Sequence, residues 1–296
     1  MKSMRLPIYL LTGLCLLGVI IGTFLDEQLS AAIFSRGNDF GIFVSTIGTM
    51  PGYLMFSFLG GGFFFFFNKK QGRVVDQVIS LIFAIVLGIG AIYYAGREFF
   101  GENGYNKKDL YWIGFLIILP LSIGMEFFGF KVASKSDNPR LWHLYAVMAL
   151  FIFIALVPGT SILKGIMHRP RYRTLTMYDE VVFHPWYKPC TEYKELMNLG
   201  ISKEEFKSYP SGHASASLVF ALVMSMLPLI NKKYQNIAYI LFGVGVAWYL
   251  LIAFVRILVG AHFLSDVSTG GLITSVCMLA NNEIQIWLNK RREQHA

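Results

Sequence analysis

The chain has 296 residues, with 26 lysines and arginines against 18 aspartates and glutamates, which gives a formal net charge of +8. Charged residues make up only 15% and hydrophobic residues 55%, whereas about 25% of an ordinary soluble domain is charged. This composition excludes a disordered chain and a nucleic-acid-binding domain. One soluble core of this size could not bury so much apolar surface. We therefore predict an integral membrane protein.

Eight stretches are long and apolar enough to cross a membrane as helices, which takes roughly 20 residues each. The second of them is the weakest, because three consecutive glycines interrupt it. The sequence predicts one all-α polytopic domain over residues 1–296. Its predicted spans are Leu6–Leu25, Met50–Phe67, Val78–Gly96, Leu110–Phe130, Leu141–Leu163, Ala214–Ile230, Ile237–Val255 and Phe263–Ala280.

The segment Asp26–Thr49 mixes apolar and charged residues. This pattern is typical of an amphipathic segment that lies at the membrane interface, so we do not predict a span there. Glu126 lies near one end of the fourth span. We expect it to be hydrated or paired, because an uncompensated carboxylate in lipid is costly.

Lysines and arginines in short connections predict the orientation, because they are enriched on the cytoplasmic side. With eight spans, 13 of them share the side of the chain ends, 5 lie on the other side, and 8 lie in the long loop from Lys164 to His213. We leave the loop out of the comparison, because several of its charges belong to motifs. We therefore predict that the protein lies in the plasma membrane with both chain ends on the cytoplasmic side. The long loop, with Cys190 as a reachable thiol, faces outward.

Two polar clusters flank the long loop. The first follows the fifth span and contains Lys164, Arg169 and Arg171, which could also be an interfacial flank. The second is Pro210–His213, directly before the sixth span. A helix start offers free backbone N–H groups to an anion. The hydroxyl of Ser211 adds a donor, Gly212 permits close approach, and His213 could donate a proton. A plain helix cap is the alternative.

The third cluster lies between the seventh and eighth spans and contains Arg256, His262 and Asp266. His262 and Asp266 are four residues apart, so they share one face of a helix. A carboxylate that orients an imidazole leaves the other ring nitrogen as a directed nucleophile. A buried His–Asp pair that serves packing alone is the alternative. Three such residues in lipid are poorly explained by packing, however.

All three clusters fall at helix ends on the same predicted side, so topology brings them together. Arginine suits phosphate because its planar fork donates two parallel hydrogen bonds. No carboxylate cluster suited to a divalent cation accompanies them. The sequence therefore indicates phosphoryl transfer through a phosphohistidine, with no metal and no cofactor. The spacing of Cys15, Cys190 and Cys277 indicates neither a disulfide framework nor a zinc site.

With these motifs the sequence resembles the type 2 phosphatidic acid phosphatase (PAP2) superfamily, in its membrane lipid phosphatase branch. The pattern of that family is Lys-x6-Arg-Pro, then Pro-Ser-Gly-His, then Ser-Arg-x5-His-x3-Asp. The second motif is intact here and the third has its full spacing, over a core of about residues 141–288. Two positions depart from the pattern: Tyr172 replaces the proline of the first motif and Val255 replaces the serine of the third.

The resemblance implies a six-helix phosphatase core, here with extra helices, and hydrolysis of a lipid phosphate or diphosphate at the outer membrane face. It implies that His262 attacks phosphorus, that Asp266 orients His262, and that His213 protonates the leaving oxygen. The expected partners are a lipid phosphate and membrane lipids; the lipid and the oligomeric state stay open. The residues expected to bind the phosphate are Lys164, Arg171, Ser211, Gly212 and Arg256.

Two other functions are compatible with membrane motifs of this kind. A headgroup phosphotransferase would use the same phosphoenzyme with an alcohol in place of water. A transporter is disfavoured, because its polar residues would lie mid-membrane in repeated halves.

The first motif has two possible registers. The spacing from Lys164 selects Arg171, whereas the Arg-Pro dipeptide selects Arg169. We predict Arg171, because the distance from the helix end decides whether a guanidinium reaches the pocket. Arg169 is then expected to behave as a surface charge. The remaining histidines match no motif position and are expected in loops, interfaces or the tail: His143, His168, His184 and His295.

Overall fold

The computed structural model describes residues 4–69, 73–98, 111–136 and 138–293. This part of the chain consists of helices and contains no β-strand, which confirms the predicted all-α class. The helices are α1 (Arg5–Ile33), α2 (Asp39–Ile47), α3 (Met50–Lys69), α4 (Val74–Glu98), α5 (Tyr111–Ser134), α6 (Leu141–Leu156), α7 (Leu163–Met167), α8 (Tyr172–Leu175), α9 (Tyr193–Asn198), α10 (Gly212–Ser225), α11 (Leu227–Ile230), α12 (Gln235–Leu258) and α13 (Leu264–Glu293).

Seven helical segments of the described chain are long and apolar enough to cross a membrane. The predicted eighth span, Phe263–Ala280, is not among them, although it lies almost wholly within α13. Serine, threonine and asparagine residues keep the mean hydropathy of α13 below that of the other seven, and many of them are buried. The seven segments are Arg5–Ile33, Asp39–Lys69, Val74–Glu98, Trp112–Ser134, Leu141–Leu175, Gly212–Ile230 and Lys232–Leu258.

The prediction of an interfacial segment over Asp26–Thr49 is wrong for its first part. Helix α1 continues without a break to Ile33, and the side chain of Asp26 is buried. A carboxylate can be buried when it is paired and hydrogen-bonded, and Asp26 accepts hydrogen bonds from Arg169 and Ser265. The charged residue Asp26 therefore lies in the interior of the bundle, although its charge suggested a position at the membrane surface.

Helix α10 forms the centre of the bundle, because nearly every residue of it is buried. Helices α3, α6, α12 and α13 all pack against it. Small residues permit this close packing, as is typical of membrane helix pairs. A Cβ on Gly52 of α3 would lie 1.8 Å from the carbonyl oxygen of Ala216 in α10. Helix α10 thereby carries the Pro210–His213 motif into the middle of the fold.

The glycines that weakened the second predicted span have a packing role in α3. A Cβ on Gly61 would lie 1.9 Å from the carbonyl oxygen of Glu126 in α5. A Cβ on Gly62 would lie 1.9 Å from the ring of Tyr145 in α6. Any larger residue would force these helices apart, so the composition that lowered the apolar signal is what lets α3 pack.

Contacts at the two ends of the bundle separate the motifs from the chain termini. At one end, Arg5 pairs with Glu283, and Arg140 donates to the carbonyl of Leu288. At the opposite end, the backbone N–H of Ser211 donates to the carbonyl of Asp266 at 3.0 Å. The start of α1 and the last part of α13 thus lie at the end of the bundle away from the motifs. Some charges used to predict the orientation lie outside the described residues: Lys2, Lys70, Lys107 and Lys108.

Candidate active site

The first motif begins where α6 is interrupted. Helix α6 ends at Leu156, and Pro158 starts a single π-helical turn, Pro158–Ile162. Proline has no N–H and cannot continue the α-helical hydrogen-bond ladder. The short α7 follows and ends at Met167, and the left-handed backbone of the next residue, His168 (φ 44°), turns the chain. This break brings Lys164 onto the wall of a cavity.

The second motif is the N-terminus of α10. Ser211 is its N-cap, and the hydroxyl oxygen of Ser211 accepts from the N–H of Ala214 at 3.3 Å. Gly212 is the first helical residue, and a Cβ there would lie 3.6 Å from the ammonium nitrogen of Lys164. The positive end of a buried helix thus lies next to a lysine, an arrangement that favours an anion.

A cavity of about 700 Å³ lies where these motifs meet. Five of the predicted site residues line it: Lys164, Arg171, Gly212, His213 and His262. The rest of the wall combines the aromatic and apolar residues of the membrane helices with polar residues of the long loop and of α4. These are Thr49, Tyr53, Phe56, Tyr94, Arg97, Glu98, Leu156, Val157, Thr160, Ser161, Glu204 and Lys207.

The imidazole of His262 has a defined tautomer. Its Nδ1 lies 2.7 Å from the carbonyl oxygen of Ser208. A carbonyl only accepts, so Nδ1 must carry the proton, and Nε2 keeps its lone pair. Burial lowers the pKa of His262 well below its ordinary value; Asp266 opposes this shift, and the charges of Arg256 and Arg171 add to it. The ring is therefore neutral at pH 7 and suited to act as a nucleophile through Nε2.

Asp266 reaches His262 by a less direct route than the i, i+4 spacing suggests. Its Oδ2 lies 3.8 Å from Nδ1 of His262. The same oxygen accepts from the hydroxyl of Ser208 at 2.5 Å and from the N–H of Phe263 at 2.8 Å. Asp266 thus holds Ser208, whose carbonyl accepts the hydrogen bond from Nδ1–H of His262. It also places a negative charge beside the ring.

Arg169 is fully buried and anchors Asp266 from behind. Its guanidinium donates to Asp266 at 2.6 Å and to Asp26 at 2.9 Å. It also donates to the carbonyl of His184 at 2.7 Å and lies 4.1 Å from the ring centre of Phe263. The expectation that Arg169 is a surface charge is therefore wrong. Two buried carboxylates keep it in the interior, which the Arg-Pro dipeptide alone did not reveal.

Arg171 lies on the cavity wall, where the spacing from Lys164 predicted it. Its Nε donates to the carbonyl of Glu204 at 3.0 Å. The neighbouring Arg173 pairs with Glu205 at 2.6 Å. Burial alone would raise the pKa of Glu205, but the hydrogen bond from Arg173 and the charge of Arg171 hold it at about 2. The two arginines of the motif that flank Tyr172 thus differ: one faces the cavity and the other fixes the loop.

Ser211, Arg256 and Asp266 are the predicted site residues that do not line the cavity. Ser211 is fully buried, and Arg256 is 1% exposed at the end of α12. The charge of Arg256 nevertheless acts on His213 and His262. The structure therefore places Ser211 as a helix cap and Arg256 as a cation behind the wall.

Sequence reasoning missed Glu98, the last residue of α4. Its Oε2 lies 3.5 Å from Nε2 of His213, and both side chains are about five-sixths buried. Glu98 lies two residues after the end of the predicted third span. A charged residue at that position is typical of the flank of a membrane helix at the interface. Only the contact between α4 and the α10 N-terminus shows that this carboxylate faces His213. No motif spacing could have indicated it.

A family model described as the PAP2 superfamily matches residues 140–289. This match covers half of the chain and includes all three motifs, so the chain belongs to the PAP2 superfamily. No match is found among curated proteins or among solved structures. Asp26 and Glu98 both lie before the matched region, in helices α1 and α4.

The two arginines of the first motif should respond differently to alanine substitution. Arg171→Ala should lower kcat/KM about a hundredfold, or roughly 3 kcal/mol, because a donor to the phosphate is lost. Arg169→Ala should instead destabilise the fold by about 3–5 kcal/mol, because two buried carboxylates lose their partner. Phosphate release and thermal unfolding, both in detergent, check the pair. A stable, folded Arg169→Ala with full activity would contradict the assignment.

Glu98→Gln should lower activity in a way that depends on the leaving group. The carboxylate of Glu98 stabilises the protonated form of His213, which only a poor leaving group requires. We expect the rate of phosphoenzyme formation from an alkyl phosphate to fall about tenfold and that from an aryl phosphate to change little. An equal fall on both substrates would mean that Glu98 only supports the fold. Arg97→Gln, at the neighbouring cavity residue, is the matched control.

Proposed function

We propose that this member of the PAP2 superfamily hydrolyses a lipid phosphate or lipid diphosphate monoester through a phosphohistidine. One observation carries the proposal: Lys164, Arg171, Gly212, His213 and His262 line a single cavity. Cations and helix N–H groups suit the phosphate, and two imidazoles suit the nucleophile and the acid. These five residues come from three motifs that lie far apart in the chain.

The first chemical step uses both histidines. Nε2 of His262 attacks phosphorus, while Nδ1 keeps its proton and donates it in a hydrogen bond to the carbonyl of Ser208. The bond from phosphorus to the leaving oxygen breaks, and protonated His213 gives that oxygen its proton. Asp266 stabilises the positive charge that develops on His262, since its carboxylate lies 3.8 Å away. Lys164 and Arg171 stabilise the charge on the phosphoryl oxygens, a role that needs no metal ion.

The second step releases phosphate. Neutral His213 takes a proton from water, and the resulting hydroxide attacks the phosphoryl group. The bond between phosphorus and Nε2 breaks, which restores neutral His262 and the protonated form of His213. An alcohol in place of water would give a phosphotransferase with the same residues.

A lipid substrate is supported by where the cavity lies. Tyr53, Phe56 and Tyr94 line it and belong to α3 and α4, two helices within the segments apolar enough to cross a membrane. The rings of Tyr53 and Tyr94 stack with their centres 5.5 Å apart. Aromatic side chains of this kind suit the boundary between a headgroup and its hydrocarbon chain. The phosphate would lie at the α10 N-terminus and the tail among these rings.

His262→Ala should abolish turnover and the phosphoenzyme. His213→Ala should lose most turnover on an alkyl phosphate but still form phosphohistidine with an aryl phosphate, because that leaving group needs no proton. The measurement is phosphate release from a panel of lipid phosphates and diphosphates, with acid-labile phosphoenzyme trapped in parallel. Phosphoenzyme on His262→Ala would contradict the assignment. Transfer to an added alcohol that outpaces phosphate release would favour the phosphotransferase.

We further propose that the chain ends are cytoplasmic and that the cavity faces outward across the plasma membrane, from the charge distribution in the short connections. Cys190 is not the reachable reporter that the sequence suggested. It is 1% exposed, and burial, followed by the charge of Glu192, raises its pKa to about 12. Thiolates rather than thiols react with labelling reagents, so an engineered cysteine is needed.

Asn198→Cys, at an exposed position of the long loop, should react with a membrane-impermeant thiol reagent on intact cells or spheroplasts. Lys135→Cys, exposed in the connection between α5 and α6, should react only after lysis. Mass-shift labelling of the two variants measures this directly. The reverse pattern would place the active site in the cytoplasm.

A further inference from the structure

Outside the catalytic cavity, the long loop brings together three side chains that sequence analysis did not connect. The ligand atoms of His184, Cys190 and Glu192 all lie within 4.8 Å of one another. Nε2 of His184 is 2.7 Å from Oε1 of Glu192. None of the three lines the cavity. Sequence analysis considered only the spacing between cysteines, so a site with a single cysteine was not visible to it.

The backbone around this cluster is fixed from two sides. The N–H of Cys190 donates to the carbonyl of Met167 at 2.9 Å, which ties the loop to the end of α7. The Cys190 side chain packs in a small hydrophobic cluster with Val181, Leu196, Ile201 and Phe206. The side chains of His184 and Glu192 are 14% and 36% exposed. The three residues are therefore held in place, and an ion would approach the buried thiol of Cys190 from the side of His184 and Glu192, which are partly exposed.

A thiolate, an imidazole and a carboxylate are ligands that zinc accepts together. Zinc lies about 2.3 Å from sulfur, about 2.0–2.1 Å from nitrogen and about 2.0–2.2 Å from oxygen. Tetrahedral ligands at those distances lie roughly 3.3–3.8 Å apart, so the observed cluster needs only small adjustments. Magnesium and calcium prefer oxygen ligands and do not suit the thiol.

We propose that His184, Cys190 and Glu192 form a zinc site, with water as the fourth ligand. When Zn²⁺ binds, the thiol of Cys190 loses its proton to solvent and a zinc–sulfur bond forms. Neutral His184 binds through Nε2, and Glu192 exchanges its contact with His184 for the metal. The site is structural rather than catalytic, because it lies outside the cavity where the phosphate would bind.

The proposed site is connected to the catalytic residues through the backbone of one of its ligands. The carbonyl oxygen of His184 accepts from Nε of Arg169 at 2.7 Å. Arg169 in turn donates to Asp266, which holds Ser208 beside His262. The hydrophobic cluster that contains Cys190 has only five buried residues, Cys190 included. Small cores of this kind are often stabilised by a bound metal. Zinc would therefore fix the outer end of this chain of contacts.

Zinc content of the purified full-length protein tests the proposal without reference to activity. After growth with added zinc, the wild type should hold about one zinc per chain by elemental analysis. Cys190→Ser and His184→Ala should each hold less than a tenth of that, whereas Cys277→Ser, a buried cysteine in α13, should match the wild type. A metal-free wild type, or variants that keep their zinc, would overturn the proposal.

Two further measurements keep the test decisive if Cys190→Ser does not fold. Glu192→Gln, at a partly exposed position, should bind zinc at least tenfold more weakly in a competition with a chelating dye. Cobalt-loaded wild type should show a thiolate-to-cobalt absorption band. Unchanged zinc affinity in Glu192→Gln, or cobalt binding without that band, would overturn the site.

Activity separates this inference from the proposed function. Chelator should leave the initial rate unchanged and should lower the melting temperature on longer incubation, with recovery on Zn²⁺ and not on Mg²⁺. An immediate loss of rate that Mg²⁺ restores would contradict the metal-free chemistry of His262. A melting temperature that does not respond to chelator, in protein shown to have lost its zinc, would contradict the structural role.

Discussion

The buried guanidinium of Arg169 is the interaction on which the active site depends. It joins Asp26 of α1 to Asp266 of α13, at a depth where neither carboxylate could stay ionised without a partner. Because Asp266 also holds Ser208, this ion triad fixes the tautomer of His262 from a distance. The polar groups of the triad satisfy one another, and through Ser208 they hold the ring of His262, the proposed nucleophile, in one orientation.

The helices before the matched region contribute to the site as well as to the membrane bundle. Helix α1 supplies Asp26 to the ion triad, and α4 supplies Glu98 to His213. Tyr53 and Tyr94 add an aromatic wall to the cavity. The proposed phosphate-binding residues thus lie within residues 140–289, whereas several of the residues that surround them come from the first hundred residues.

Function here depends on contacts that act in series. The loop after α8 reaches Arg169 through the carbonyl of His184, and Arg169 reaches His262 through Asp266 and Ser208. In the proposed mechanism, a disturbance in the loop would therefore change the orientation of His262 rather than the contacts with the phosphate. Lys164 and Gly212 depend on α7 and α10 instead. The residues proposed to bind phosphate are thus held by other elements than the residues that orient His262.

The sequence by itself determined the helical class, most spans, and the positions of Lys164, Arg171, His213 and His262 on one cavity. Helix periodicity, turn residues and motif spacing are local properties, and they suffice for residues that lie next to a span or a few residues from its end. Only the tertiary structure decided that Arg169 is interior. Its partner Asp26 lies 143 residues away, and the contact between them depends on how α1 and α13 pack, which no local pattern encodes.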